Sequence, residues 1–335
     1  MSELRRDPIA DRWVVVKTKE DSLAPQDYLQ EDHSSHQAAI CQFCEGRENQ
    51  TPQEVDVIRA EGTSANTPGW MTRVVPNKFP ALTIEGDIGK RGIGLYDISN
   101  GIGAHEVLIE TPEHGKNFAE YSVEEISNVL RLYQRRALSL AKDKRFKYIM
   151  IFKNYGESAG ASVEHEHSQI IALPMVPRYV IDELEGAKAY FQYRGRCVYC
   201  DMIQQEYEDK NRIVTENEHF IAFCPYVPRY TFESWIFPKE HESVFYSLQD
   251  EERLALAQIL KDMLSRLKTC LADPSYNFYL HIAPLNHGNQ ESYHWHIEIV
   301  PQLTREAGFE WGTGFYVIHT SPDVAAEYLR GEGKG

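Results

Sequence analysis

Along the first half of this chain, short apolar runs alternate with one long helical stripe. Trp13–Val16, Arg73–Leu82, His105–Thr111 and Tyr148–Phe152 are rich in β-branched and aromatic residues, which predicts strands, the second running into a turn. Between the last two the period changes. Ile126, Val129, Leu130, Leu132, Tyr133, Ala137 and Leu140 recur at helical spacing, which predicts a long amphipathic helix over Val123–Lys142. Ser122, with Glu125 three residues on, supplies its capping box. A last apolar run, His165–Leu173, reads as a strand stopped by Pro174. Residues 21–40 are polar and irregular, and 45–70 are loop-rich.

The second half repeats the order. Cys197-Val198-Tyr199-Cys200 matches Cys41-Gln42-Phe43-Cys44, and Arg212-Ile213-Val214 matches Arg73-Val74-Val75. Glu233–Ile236 follows Glu106–Ile109, and His241 follows His114. Tyr246-Ser247 opens a helix as Tyr121-Ser122 does, Asn277–Ile282 is the buried strand, and His294-Trp295-His296 matches His165-Glu166-His167. Landmarks kept in one order at near-equal spacing indicate a duplicated unit. The expected fold is α+β, with each unit an antiparallel sheet and one long helix, divided at residues 1–180 and 181–335.

Chemistry gathers on the strand at 165. Side chains alternate faces, so His165, His167 and Gln169 share one side and Glu164, Glu166 and Ser168 the other. The preceding loop holds Gly156, Ser158, Gly160 and Ser162, small residues that let backbone N–H groups approach an anion. One imidazole to attack, an amide to hold an oxygen and N–H groups around the rest suit a phosphorus centre. His167 is the expected nucleophile. The third position on that face is Gln169 in the first half and Glu298 in the second, and a carboxylate would repel a phosphate. The second half therefore reads as structural or substrate-positioning. Each half also offers two thiols and two imidazoles: Cys41, Cys44, His114 and His165, then Cys197, Cys200, His241 and His294. Such sets favour tetrahedral Zn²⁺, two per chain, and four protein ligands make a structural site. His281, His296 and Glu298 are further donors that could alter the second.

A charge of −15 excludes a basic nucleic-acid surface, while leaving room for a nucleotide held by local donors. Hydrophobic content of 42% supports a packed core. No stretch resembles a leader or a membrane span, so a cytoplasmic protein is expected. There, paired Cys-x-x-Cys motifs mean metal or redox chemistry, not disulfides. Cys224 and Cys270 read as buried thiols.

DPIADRW, CQFC, RVVPNKFPAL, ETPEH, FKNYGESAGAS, HEHSQ and GFEWGTG resemble the galactose-1-phosphate uridylyltransferases and their plant-type ADP-glucose phosphorylase relatives, members of the histidine-triad superfamily. The match runs from Asp7-Pro8 through Glu310. It implies histidine-triad-like halves, a homodimer, and ping-pong transfer through a nucleotidyl-His167, with nucleotide sugar and sugar 1-phosphate or phosphate as partners. By the same resemblance Asn77, Asn154, Ser162 and Gln169 meet nucleotide or phosphate, and Phe309 and Glu310 meet the sugar. Gln169 stands where the superfamily's hydrolases carry a third His, which favours transfer. Three positions depart from the uridylyltransferases: Glu166 replaces Pro, KTKEDSLAP lacks a pair of phosphate-holding arginines, and Tyr316 replaces a Gln that contacts the hexose. Exchange between UDP-glucose and galactose 1-phosphate is the default reading. The alternatives are ADP-glucose phosphorolysis and a zinc-stabilised binding protein without activity.

Overall fold

The computed structural model describes residues 2–28, 41–285 and 290–333. In chain order the elements are β1 (Ser2–Arg6), β2 (Trp13–Lys17), β3 (Asp56–Arg59), β4 (Trp70–Pro76), β5 (Arg91–Ile93), β6 (Tyr96–Ile98), β7 (Ala104–Ile109), α1 (Val123–Leu140), β8 (Tyr148–Tyr155) and β9 (His167–Leu173). They continue with α2 (Arg178–Arg194), α3 (Val198–Asp209), β10 (Ile213–Glu216), β11 (Phe220–Phe223), β12 (Ser234–Pro238), α4 (Asp250–Cys270), β13 (Tyr276–His281), β14 (His296–Pro301), α5 (Gly308–Thr313), β15 (Tyr316–Ile318) and α6 (Pro322–Arg330).

Ten strands make one sheet in the order β10-β11-β12-β14-β13-β8-β9-β7-β4-β3. The order is the duplication in spatial form. Read outward from the central β13–β8 pair, each half lays down its strands in the same sequence, and every neighbour pair is antiparallel. The α+β class and the repeat expected from the sequence are both present, with one landmark shifted: Arg212-Ile213-Val214 runs into β10, the counterpart of β3, whereas Arg73-Val74-Val75 lies on β4, the counterpart of β11.

Period-two burial decides the layers. Leu108, Ile170, Ala172, Ala222, Ile236, Ile297 and Ile299 belong to the core built with α1 and α4. Their sequence neighbours face the other way. Val107 and Ile109 pack with Cys41 and Phe43, and Trp235 and Phe237 pack with α3. Each buried aliphatic side chain on these faces contributes roughly 1.5–3 kcal/mol. The reactive residues of the sheet therefore lie on the face away from the long helices.

α1 starts at the capping box of Ser122 and Glu125, as expected. α4 starts later than expected. Phe245–Ser247 is one 3-10 turn, and the helix opens after Gln249, whose backbone N–H is capped by Glu252. β3, the β5–β6 hairpin, α2 and α3 had no place in the sequence reading. Residues 29–40 of the irregular stretch lie outside the described residues. Its earlier part is held down, because Tyr28 is buried with its hydroxyl 2.7 Å from Thr320 Oγ1. A small second sheet, β1-β2-β15, joins the two ends of the chain and carries Tyr316 opposite Val14.

Candidate active site

β9 enters the sheet at His167, not at His165, because the His165 carbonyl is taken by a side chain. His167 Nδ1 lies 2.8 Å from the His165 oxygen. A carbonyl only accepts, so Nδ1 carries the ring's hydrogen and Nε2 keeps its lone pair. Burial pushes the His167 pKa down to about 4. The ring lines a cleft of about 580 Å³, mouth included, together with Phe43, Asn77, Phe79, Ser162 and Gln169. Phe43, from the first cysteine turn, meets the His167 ring at 5.5 Å between centroids.

His165 points from the same strand end toward the cysteines. Its Nε2 donates to the Thr111 carbonyl at 2.7 Å, and its Nδ1 lies 3.7 Å from both Cys41 Sγ and Cys44 Sγ. Donation through one nitrogen leaves the other as a ligand, the usual arrangement around a bound metal. The donor atoms of Cys41, Cys44, His114 and His165 all lie within 4.8 Å of one another. The same holds for Cys197, Cys200, His241 and His294. There His241 Nε2 reaches the Gln290 carbonyl at 3.0 Å and its Nδ1 lies 3.4 Å from Cys200 Sγ. Both groups fit a metal ion. All six cysteines are free thiols.

The remaining donors form a separate group. Glu183, His281 and His296 converge within 4.8 Å, and Glu183 is a member that sequence spacing gave no sign of. His281 donates to Glu183 at 3.1 Å and faces Glu298 at 3.4 Å. Burial lowers its pKa, but the Glu183 and Glu298 charges outweigh that and push it up to about 10. Arg229 closes the knot against Glu233 and Glu298. His296 repeats the backbone contact of His167, with Nδ1 3.1 Å from the His294 carbonyl. Its ring, however, is stacked between Phe237 at 4.7 Å and His281 at 4.8 Å. His296 is 1% exposed.

The glycine loop is shaped by that second half. Gly156 has φ +81°, and a Cβ there would stand 2.1 Å from Ser275 Oγ. Gly160 is left-handed and ends the Glu157–Ala159 turn. Asn277 donates to Asn154 Oδ1 at 2.8 Å and to the Ala159 carbonyl at 2.9 Å. Asn154, Gly156 and Gly160 thus sit at the β8–β13 seam and do not line the His167 cleft. Nor do Phe309, Glu310 and Tyr316. Phe309 is exposed on α5, Glu310 caps that helix through Ala307, and Tyr316 packs beside Tyr230.

On the reverse face Lys153 is fully buried, 2.5 Å from Glu110, paired with Glu166, and 3.3 Å from the His167 carbonyl. Glu166, the residue between the two histidines, is thereby pinned to β8. Alternation along FKN places Lys153 on the buried face with Ile151, so the sequence held a signal for it.

Two family models cover the chain: galactose-1-phosphate uridyl transferase, N-terminal domain, over residues 2–177, and its C-terminal domain over 183–313. This chain belongs to the galactose-1-phosphate uridyl transferase family. It is a nucleotidyltransferase by that membership. Among its relatives is an ADP-glucose phosphorylase of Arabidopsis thaliana, 36% identical, the alignment covering 98% of this chain and 92% of that one. A galactose-1-phosphate uridylyltransferase of Thermotoga maritima is 26% identical over 98% of both. The crystal structure of an Arabidopsis thaliana ADP-glucose phosphorylase with bound ADP-glucose superposes with a TM-score of 0.82 at 35% identity, covering 98% of this chain and 99% of that one. Among the described residues no helix is long and apolar enough to cross a membrane.

Proposed function

We propose that this family member transfers a nucleotidyl group from a nucleotide sugar through a covalent intermediate on His167. The observation that carries the reading is the hydrogen bond from His167 Nδ1 to the His165 carbonyl, which leaves Nε2 unprotonated in the cleft beside Gln169 and Ser162. In the first step the Nε2 lone pair attacks the α-phosphorus. The bond to the bridging oxygen breaks, and sugar 1-phosphate leaves with the electron pair. In the second step an acceptor oxygen attacks the same phosphorus and the P–N bond breaks, returning the pair to Nε2. Asn77, Ser162 and Gln169 bind the phosphate, while Asn154, Gly156 and Gly160 set the shape of the loop.

ADP-glucose with inorganic phosphate as acceptor is the favoured pair, on the 36% identity to the phosphorylase and on Tyr316. UDP-glucose with galactose 1-phosphate is the second reading, favoured by the family's uridylyltransferases. Zinc is the proposed metal of both Cys/His groups. It supplies rigidity there, holding His165 so that its carbonyl aims the His167 ring. The catalytic half is residues 1–180 and the structural half 181–335. A second copy of the chain is the proposed source of the sugar-facing wall, because Phe309, Glu310 and Tyr316 stand outside this cleft. Six free thiols suit the cytoplasm.

Incubation with ADP-glucose or UDP-glucose alone, followed by intact-mass measurement, tests the reading. One adenylyl group per chain on the native protein and none on His167→Asn is expected. A uridylyl adduct alone moves the reading to UDP-glucose. Labelling that survives in His167→Asn, or no labelling by any nucleotide sugar, overturns it.

A further inference from the structure

We propose that His105 is a positioning residue that decides which end of the Gln169 amide faces the phosphate. His105 is half-buried on β7 and does not line the cleft, so it acts through Gln169. In the β7–β9 ladder Gln169 is opposite Val107, and His105 is opposite Ile171. The two are diagonal neighbours on the cleft face, within reach of long side chains.

The polarity follows from two backbone donors. The Ala81 N–H lies 3.1 Å from His105 Nδ1. A backbone N–H only donates, so Nδ1 accepts and the ring's hydrogen sits on Nε2. That nitrogen is 2.8 Å from Gln169 Oε1. The amide oxygen is thereby occupied, and the NH₂ group remains for the cleft. Asn77 obeys the same logic. Its Oδ1 accepts from Phe79 N–H at 2.9 Å, so the atom 3.1 Å from His105 Nε2 is its own NH₂ and takes no hydrogen from the ring. Gln169 is the acceptor available to His105, and its NH₂ is the end left for the phosphate. An unanchored Gln169 turns its oxygen inward about as readily, and that oxygen repels an anion. This inference rests on the phosphate-binding reading above.

Two substitutions separate orientation from loop anchoring. The terminal atoms of a glutamine reach the place of imidazole Nε2, and those of an asparagine reach the place of Nδ1. His105→Gln keeps a donor for Gln169, while His105→Asn keeps only the Ala81 contact. The measurements are single-turnover loading of His167 and calorimetric binding of AMP and UMP, with melting temperature and metal content as folding controls. His105→Asn is expected to slow loading and weaken mononucleotide binding on the order of 10-fold to 100-fold, the loss of one hydrogen bond to a charged group. His105→Gln is expected to retain most of both. In a Gln169→Ala background His105→Asn adds nothing further. The opposite order, with Asn active and Gln impaired, reduces His105 to a loop anchor and overturns the proposal, as does equal activity of all three proteins. If the native protein never loads but the mononucleotide series keeps the expected order, the transfer reading falls and the role of His105 stands. If the native protein binds neither AMP nor UMP and never loads, both fall.

Discussion

Asn277, on β13 of the second half, donates to Asn154 on β8 of the first at 2.8 Å, directly opposite it in the central strand pair. With its other bond to the Ala159 carbonyl, one carboxamide ties the glycine loop to the second half. Asn277→Ala leaves two part-buried acceptors without this donor. A stability loss of about 1–3 kcal/mol by chemical denaturation is expected, with loading of His167 slowed more than nucleotide binding. Unchanged loading would show that the seam has no part in shaping the loop.

Gln169→Glu puts a carboxylate where the phosphate reading needs a donor. Loading should fall by about 100-fold or more, while melting temperature and metal content stay put, because the side chain is only half-buried. Single-turnover rates with ADP-glucose and UDP-glucose check this. A variant as fast as the native protein would remove Gln169 from the phosphate.

Chelation, or Cys41→Ser, should act on folding before chemistry. Structural zinc sites carry folding free energy on the order of 10 kcal/mol, and loss of one thiolate should remove at least about 3 kcal/mol of it. Elemental analysis should give two metals per chain, one for each Cys/His group. A chelated protein that keeps its melting temperature yet loses all turnover would make the metal catalytic.

Behind the histidine strand, burial first, then the Glu166 charge, raise the Glu110 pKa to about 7 against the pull of Lys153. Its folded pKa thus exceeds the unfolded value of 4.5. The folded protein binds the proton more tightly, so stability is lost as pH rises from about 4.5 to about 7. Glu110→Gln mimics the protonated form and lacks this dependence. Between pH 5 and pH 8 the variant should improve relative to the native protein by up to about 3 kcal/mol. Parallel denaturation curves at both pH values would refute the assignment.

Much of this arrangement could be read from residue order, and particular residues show where reading stops. Alternation put His165, His167 and Gln169 on one face and Glu166 and Ser168 on the other, and cysteine spacing found both metal groups, because these are local periodicities. The matching halves were legible as repeated landmarks, yet nothing in them announced that β8 and β13 would pair into one sheet. Glu183 joins His281 and His296 from a helix with no motif of its own. His105 shares its face with Val107 and Ile109, so alternation exposed it, but its meaning lies in Ala81 and Gln169, contacts that exist only after folding. Asn154 was placed at the phosphate by resemblance and Gly156 and Gly160 by the small size of their loop, but the contacts that shape this loop come from Asn277 and Ser275, over a hundred residues away, which no local pattern shows.

The ring of His296, shut between Phe237 and His281, also sets the arithmetic of turnover. Under the proposed transfer, with the His296 ring walled in by aromatics, each polypeptide carries a single activated group at a time. If two copies assemble as proposed, full saturation of the pair ends at two labels, and any cooperativity between them crosses from one polypeptide to the other.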